Sequence, residues 1–311
     1  MSLLERIRSR AARGIAISSR TLVPDTAWRG VEPASGNSGL LRTCSNPNCA
    51  SGWLHLWRSR EVPVFESGWC CSSECTAARV REAIRREMDA RGPSRDPHRH
   101  RIPLGLTMLE QGWITPQALR AALDAQRSAG SGRIGEWLVR QRSASEAQVT
   151  RALGRQWGCP VLGLDLCSPE DLTSLLPRFF IDAFGALPLR VAAGKILYLG
   201  FEDRVDRALA LGVERMTGLR VEIGLIEGSV FRPAQQSTLH ASFPPVELVE
   251  ASTEESLTVS LVAAIEKAQP VEARLVRIHD CFWLRIWRRP QSGPVPMPDS
   301  ICDLIAAAAA H

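Results

Sequence analysis

An internal repeat between residues 103 and 156 constrains the fold of this 311-residue chain more than any other feature. The two copies are residues 103–126 and 133–156, joined by a short spacer. Apolar residues recur at helical spacing in both, and Thr115 or Ser145 stands where a helix N-cap is expected. Each copy is therefore predicted to fold as a helix, a tight turn and a capped second helix.

Ten positions match between the copies at a constant offset. In the first copy they are Pro103, Leu104, Gly105, Met108, Leu109, Gly112, Ile114, Leu119, Leu123 and Gln126. In the second they are Arg133, Ile134, Gly135, Leu138, Val139, Arg142, Ala144, Val149, Leu153 and Gln156. A match of this length predicts one backbone conformation for both copies.

This repeat pattern resembles the N-terminal domain of type II secretion and type IV pilus assembly ATPases, the family called MshEN or GspE N-terminal domain. The resemblance continues through residues 175–177, 186–189, 197–199 and 216–219. It covers residues 104–227, about two fifths of the chain. It implies a helical tandem-repeat subdomain followed by an α/β subdomain.

The resemblance also implies that the repeat binds cyclic di-GMP, one copy for each half of the dinucleotide. Carried over position by position, the binding residues are Leu104, Gly105, Met108, Leu109, Gly112, Gln126, Arg133, Ile134, Gly135, Leu138, Val139 and Gln156. Glycines would let backbone amides approach a phosphate or a base edge, and Arg133 would contact guanine. The chain departs from the family pattern at Pro103, where an arginine is expected, and at Arg142, where a glycine is expected.

The phosphate loop of an ATPase motor is not recognisable in this sequence. Such a loop needs Gly-x4-Gly-Lys-Ser/Thr after a strand. The candidate at Gly194-Lys195 is followed by Ile196 and has Leu189 where the first glycine should stand. No set of nucleophile, base and orienting residue is recognisable either, so the chain is predicted not to be an enzyme.

Five of the nine cysteines are clustered and predict a metal site. Their spacing is Cys44-x4-Cys49, then Cys70, then Cys71-x3-Cys75. Two thiolate pairs that bracket a hairpin can direct four sulfurs at one tetrahedral zinc ion. Cys71 is favoured over Cys70 because Cys71 and Cys75 share a face of the first helical turn. The predicted ligands of a structural Zn²⁺, in a treble-clef-like finger, are Cys44, Cys49, Cys71 and Cys75; a cluster of reduced, buried thiols is the alternative.

The zinc module is predicted to consist of a hairpin and a helix. Residues 53–57 and 62–65 are the predicted hairpin strands, and the helix runs from Ser72 or Ser73 through Met88. Arginines on the helix and tryptophans near the hairpin raise an alternative function, nucleic-acid binding. Acidic side chains interleaved with these arginines dilute the positive field, so a solvated face is the favoured interpretation.

The rest of the chain is predicted to be mixed α/β. The predicted helices are residues 169–184 in two pieces, 203–217 and 253–267, and a terminal helix with five alanines near its end. The predicted strands are residues 186–191, 196–200, 221–226, 272–279 and 282–288. Residues 233–245 are predicted to be irregular, and His279-Asp280 to be a hairpin turn.

The predicted fold class is therefore α+β with several domains. The predicted divisions are a flexible N-terminal region at 1–43, the zinc module at 44–92, a linker at 93–101, the GspE-like domain at 102–232, split into the helical repeat at 102–160 and the α/β part at 161–232, and a small α+β C-terminal segment at 245–311.

Hydropathy and charge narrow the class of protein. No window approaches the roughly 20 apolar residues of a membrane-spanning helix, and the arginine-interrupted N-terminus lacks the apolar core of a secretory signal. A cytoplasmic location is expected. The predicted function is that of a non-enzymatic regulatory or adaptor protein of type II secretion or type IV pilus type. Its expected partners are cyclic di-GMP and components of that machinery, with nucleic acid as the alternative.

Overall fold

The computed structural model describes residues 43–49, 61–89, 102–164 and 168–308. The predicted N-terminal region up to residue 42, the hairpin strand at residues 53–57 and the linker at 93–101 lie outside these residues. Within them, no helix combines the length and the apolar character that crossing a bilayer requires.

The described part of the chain is α+β, as predicted. The helices are α1 Ser73–Asp89, α2 Leu104–Glu110, α3 Pro116–Ala129, α4 Ile134–Arg140, α5 Glu146–Trp157, α6 Arg178–Phe184, α7 Arg207–Thr217, α8 Gly228–His240 and α9 Glu254–Ala268. The strands are β1 Val64–Phe65, β2 Gly68–Trp69, β3 Ala186–Ala192, β4 Ile196–Phe201, β5 Arg220–Leu225, β6 Val246–Ala251, β7 Glu272–Ile278, β8 Cys281–Trp287 and β9 Ile301–Ala308. Short 3-10 turns lie at Pro169–Leu172 and Pro298–Ser300.

The repeat forms the four helices that its spacing predicts, α2 to α5. The hydroxyl of Thr115 accepts the amide of Ala118 at the start of α3, and that of Ser145 accepts the amide of Gln148 at the start of α5, both at 3.2 Å. Both capped helices end at a left-handed glycine. These predictions are confirmed because caps and helical periodicity are local properties of the sequence.

A three-stranded sheet follows, in the order β3-β4-β5. Strands β3 and β4 are antiparallel, whereas β4 and β5 are parallel and are connected through α7. The Gly194-Lys195 pair lies in the β3–β4 turn, where Gly194 has a φ of 65°. This pair therefore belongs to a hairpin rather than to a strand-to-helix phosphate loop.

The C-terminal sheet has the order β6-β9-β8-β7, and it shows that the predicted terminal helix is wrong. Strand β9 lies in the middle of this sheet, parallel to β6 and antiparallel to β8. Alanine favours helices, but hydrogen bonding to two neighbouring strands outweighs that preference. Ala306 is fully buried, and its small side chain lies opposite Phe282 of β8.

Residues 233–240 belong to α8, so the predicted irregular stretch is also wrong in this part. Pro233 lies inside the helix, where a proline removes one backbone hydrogen bond. Phe231 and Leu239 of the same helix are buried. Strand β6, which follows, was not predicted.

Helix α1, which the sequence assigned to the predicted zinc module, packs on α9 and β7. Val80 and Ile84 of α1 are fully buried, and they share a cluster with Leu261 of α9 and Phe282 of β8. The other face of the four-stranded sheet packs on the α/β part, where the Phe180 and Trp283 rings meet edge to face at 5.3 Å. The sheet is thus covered on both faces.

Glu87 of α1 is buried where α1, α7 and β7 meet. Its carboxylate pairs with Arg215 of α7 and accepts the backbone amide of Arg277 in β7 at 3.1 Å. Burial raises the pKa of Glu87, but the pairing with Arg215 outweighs this effect and holds that pKa below its ordinary value. One carboxylate of α1 therefore contacts both α7 and β7.

Candidate nucleotide and metal sites

The four predicted zinc ligands come together in the structure. The Sγ atoms of Cys44, Cys49, Cys71 and Cys75 all lie within 4.8 Å of one another. Cys71 Sγ is 3.5 Å from that of Cys49 and 3.6 Å from that of Cys75. Four thiolates around a tetrahedral zinc with bonds of ~2.3 Å would lie about 3.8 Å apart, so the donor set fits this ion.

Two short elements position these sulfurs. Strand β1 pairs with β2, a strand that the sequence did not predict, and α1 begins two residues after Cys71, at Ser73. The Ser72 hydroxyl accepts the amide of Cys75, which holds Cys71 and Cys75 on one face of the first helical turn. The other pair is held by a turn in which the amide of Cys49 donates to the carbonyl of Asn46 at 3.1 Å.

The surroundings of the cluster shift the pKa values of Cys71 and Cys75 in opposite directions. Burial raises the pKa of Cys71. Burial also acts on Cys75, but hydrogen bonds from the side chains of Asn46 and Ser72 outweigh it and lower the pKa to about 7. The Asn46 amide lies 3.3 Å from the Cys75 sulfur. A donor aimed at a sulfur stabilises its thiolate, which is the form that binds a metal.

The fifth clustered cysteine lies apart from this group. Cys70 Sγ is 3.5 Å from the hydroxyl of Ser45, and its backbone amide donates to the carbonyl of Pro63. Cys70 follows the end of β2, and its sulfur is not among the four that lie within 4.8 Å of one another.

The arginines of α1 are mostly paired within the molecule. Arg79 pairs with Glu82 on the same helix, and Arg85 pairs with Glu254 at the start of α9. Arg86 contacts both Glu66 and Glu87. These carboxylates neutralise the face on which the nucleic-acid interpretation depended. The tryptophans at residues 53 and 57 lie outside the described residues.

The two repeat copies are interleaved. The first helix of each copy packs on the second helix of the other, α2 on α5 and α4 on α3. Leu104 of the first copy lies beside Gly135 of the second. The first residues of the two copies, 103–105 and 133–135, are called the openings of the copies here. They therefore meet on one side of the four-helix repeat.

The two closing glutamines show the same reciprocity. Gln126 donates to the carbonyl of Gly132 at 2.7 Å, just before the second copy opens. Gln156 donates to the carbonyl of Ile102 at 2.8 Å, just before the first copy opens. Each glutamine holds the opening of the other copy, an arrangement with pseudo-two-fold symmetry.

Several of the residues predicted to bind the nucleotide lie instead in contacts between helices. Met108 and Leu138 are fully buried. A Cβ atom on Gly105 would lie 2.7 Å from Leu119, and one on Gly135 would lie 2.7 Å from Val149. These glycines allow close contact between helices, rather than only an approach to a phosphate. The side chains of Leu104, Leu109, Ile134 and Val139 are half-buried at the shared surface.

The departure at Arg142 does not change the backbone. Gly112 and Arg142 both adopt the left-handed conformation, with φ of 66° and 56°. Their amides donate to Leu109 and Val139 at the same distance, 2.9 Å. The second copy keeps the turn despite a side chain that disfavours it.

Arg133 lies at the opening of the second copy with an exposed guanidinium. It pairs with Asp203, which follows strand β4. Burial raises the pKa of Asp203 above its ordinary value, against the opposing effect of Arg133. Sequence reasoning missed Asp203 because it lies far along the chain and outside the repeat. Pro103 leaves the first copy without an equivalent guanidinium.

Part of this chain is similar in sequence to two type IV pilus assembly ATPases. No family model matches. A stretch of 122 residues is 30% identical to the type IV pilus assembly ATPase PilB of Thermus thermophilus, and 120 residues are 28% identical to PilB of Myxococcus xanthus. Each match covers 38% of this chain but only 14% and 21% of the respective relative. The predicted resemblance to these ATPases is confirmed as sequence similarity over part of the chain.

Two solved structures share low sequence identity with the chain. A structure of MshE with cdg, cyclic di-GMP, is 23% identical, covers 44% of this chain and 99% of that one, and has a TM-score of 0.37. The N-terminal domain of XpsE is 20% identical, covers 43% of this chain and 91% of that one, and has a TM-score of 0.32.

Proposed function

We propose that this chain is a non-enzymatic regulatory or adaptor protein of type IV pilus or type II secretion type that binds cyclic di-GMP through its repeat. The interleaving of the two copies carries this proposal, because it brings both openings to one surface. Cyclic di-GMP has two equivalent halves, so a pseudo-two-fold surface can meet each half with the same backbone. The similarity to PilB over 38% of the chain supports the pilus context.

Arg133 is the residue on which we expect binding to depend most. The planar guanidinium of an arginine can donate two parallel hydrogen bonds to guanine or to a phosphate. In the free protein its partner is Asp203, so the ligand competes with this carboxylate. Since Pro103 replaces the first arginine, one half of the dinucleotide meets a guanidinium and the other half an apolar opening.

Calorimetry with the full chain tests this site. We expect cyclic di-GMP to bind and Arg133→Ala to weaken binding by about tenfold or more, the effect of one lost charge-assisted contact. Arg220→Ala is the matched control, since Arg220 is also exposed and paired with a single carboxylate, Glu222. Absence of heat at high micromolar ligand would contradict the proposal.

The adaptor role is tested in the host cell. Deletion of the gene is expected to reduce surface pili or secreted proteins, and the Arg133→Ala variant to reproduce the defect if the role depends on the nucleotide. Purified protein is expected to show no ATP hydrolysis above the blank. Wild-type pilus and secretion levels after deletion would contradict this role.

We also propose that Cys44, Cys49, Cys71 and Cys75 hold a structural zinc. Four thiolates complete the coordination shell, so such an ion would supply folding free energy rather than reactive chemistry. Metal analysis is expected to find about one zinc per chain. Cys71→Ser is expected to lose the metal and several kcal/mol of stability, on the order of what removing a structural metal ligand costs.

Cys70→Ser is the matched control for the zinc site. The two residues are adjacent, but the Cys70 sulfur contacts Ser45 rather than the other ligands. Zinc content should therefore be retained in Cys70→Ser. If both variants keep the metal, or if the purified protein contains none, the assignment is wrong.

A further inference from the structure

A separate cleft lies between the turn that follows α2 and the C-terminal end of α5. Its volume is about 590 Å³, and it is open to solvent. Trp113 forms one wall, Arg151 and Arg155 line it from α5, and Gly158 and Val161 complete it on the side of the following loop.

The two arginines leave this cleft positively charged. Arg151 and Arg155 are four residues apart on α5 and so lie on one face of the helix. Neither forms an ion pair with a carboxylate in the described part of the chain. Like charges at this spacing repel each other, and an anion between them would relieve the repulsion.

The remaining lining suits a flat apolar group. The Arg155 guanidinium lies 5.7 Å from the centre of the Trp113 ring, so the indole faces the cationic side of the cleft. Gly158 contributes only backbone, with no atom within 4 Å of the place where a Cβ would stand. Val161 is 39% exposed at the rim. A base that stacks on this indole would take the place of the Arg155 guanidinium, which would then turn toward the anionic group of the ligand.

This combination has no counterpart in the other repeat copy. Ser143 occupies the position equivalent to Trp113, and Ala121 and Ala125 occupy those equivalent to Arg151 and Arg155. Both copies nevertheless have the same helices and turns. The indole and the two guanidinium groups are therefore not needed for the repeat fold, and their convergence on one cleft calls for another reason.

We propose that this cleft binds a free nucleotide, with the base stacked on Trp113 and the phosphate held by Arg151 and Arg155. The site is distinct from the surface at the openings of the copies, because none of its lining residues belongs to the matched set of positions there. The first copy supplies the stacking surface and the second copy supplies the charge.

Calorimetry with the full chain and GMP as the probe tests this site. Arg151→Ala and Arg155→Ala are each expected to weaken GMP binding about tenfold, and Trp113→Ser should weaken it severalfold. Serine is chosen because the other copy carries Ser143 at this position in the same turn. Arg120→Ala, an exposed arginine on α3, is the control and should bind GMP like the wild type.

Three results would overturn the proposal. Inorganic phosphate that binds as tightly as GMP would show that the base makes no contribution. A single-stranded oligonucleotide that binds through the same residues far more tightly than GMP would make this a nucleic-acid site. Unchanged GMP binding in all three cleft variants, each shown by circular dichroism to be folded, would place the nucleotide elsewhere.

Discussion

The two copies of the repeat have one backbone and two different surfaces. Helices α2 and α4 correspond residue for residue, as do the starts of α3 and α5. Central buried positions match, for example Met108 with Leu138 and Ala122 with Ala152. The charged positions do not, since Arg133 and Arg151 have no arginine opposite them in the first copy.

This difference separates what the fold needs from what the surface does. Buried residues, packing glycines and closing glutamines occur in both copies, so we assign them to the fold. Side chains present in only one copy are not needed for the repeat fold. Among these are the arginines that give the second copy its positive charge. The following substitutions test this division by changing the same position in each copy.

Truncating the buried side chains should lower the free energy of unfolding more than any other change, and by the same amount in both copies. Met108→Ala and Leu138→Ala each empty a fully buried site, for which about 2–5 kcal/mol is typical. Urea denaturation measures the change in free energy of unfolding. A large loss in one copy with little in the other would show that the two cores are not equivalent.

Adding a methyl group to the packing glycines should have the next largest effect. Gly105→Ala and Gly135→Ala both place a Cβ within 2.7 Å of a neighbour, and overpacking of this kind costs about 1–3 kcal/mol. The cost should be greater at Gly135, because branched Val149 cannot move aside as Leu119 can. Equal stability of wild type and both variants would show that the helices have room to separate.

The turn residues should have small effects of opposite sign. Arg142→Gly is expected to stabilise the protein by about 1 kcal/mol, since it removes a side chain from a left-handed conformation. Gly112→Ala should destabilise it by about the same amount, and no neighbouring atom would obstruct the new Cβ. Thermal melting of the two variants should therefore shift in opposite directions. A destabilised Arg142→Gly would mean that the arginine makes a contact that offsets its strain.

The parts of the fold that sequence predicted are those determined locally. The hydroxyl caps of α3 and α5 and the spacing of apolar residues in the repeat need no distant partner. Strand β9 was predicted as a helix because its alanines have that preference in isolation. Its pairing with β6 and β8 depends on residues tens of positions away, and no local pattern reports it.

The candidate sites follow the same rule. Spacing alone selected Cys71 over Cys70, because the two sulfurs of an i, i+4 pair share a helix face. The pairing of Arg133 with Asp203 and the approach of Arg155 to Trp113 join distant segments, so neither could be predicted. The packing role of Gly105 likewise depends on Leu119, which lies on a different helix.

The central position of β9 affects how the protein is made. The sheet that covers Val80 and Ile84 of α1 cannot close until residue 308 has left the ribosome. At ordinary rates of translation this takes roughly 10–45 s after α1 emerges. During that interval α9 and β7, which both contact α1, are already made, but the sheet still lacks the strand that joins β6 to β8. Until then neither β6 nor β8 has the neighbour that lies between them in the finished sheet.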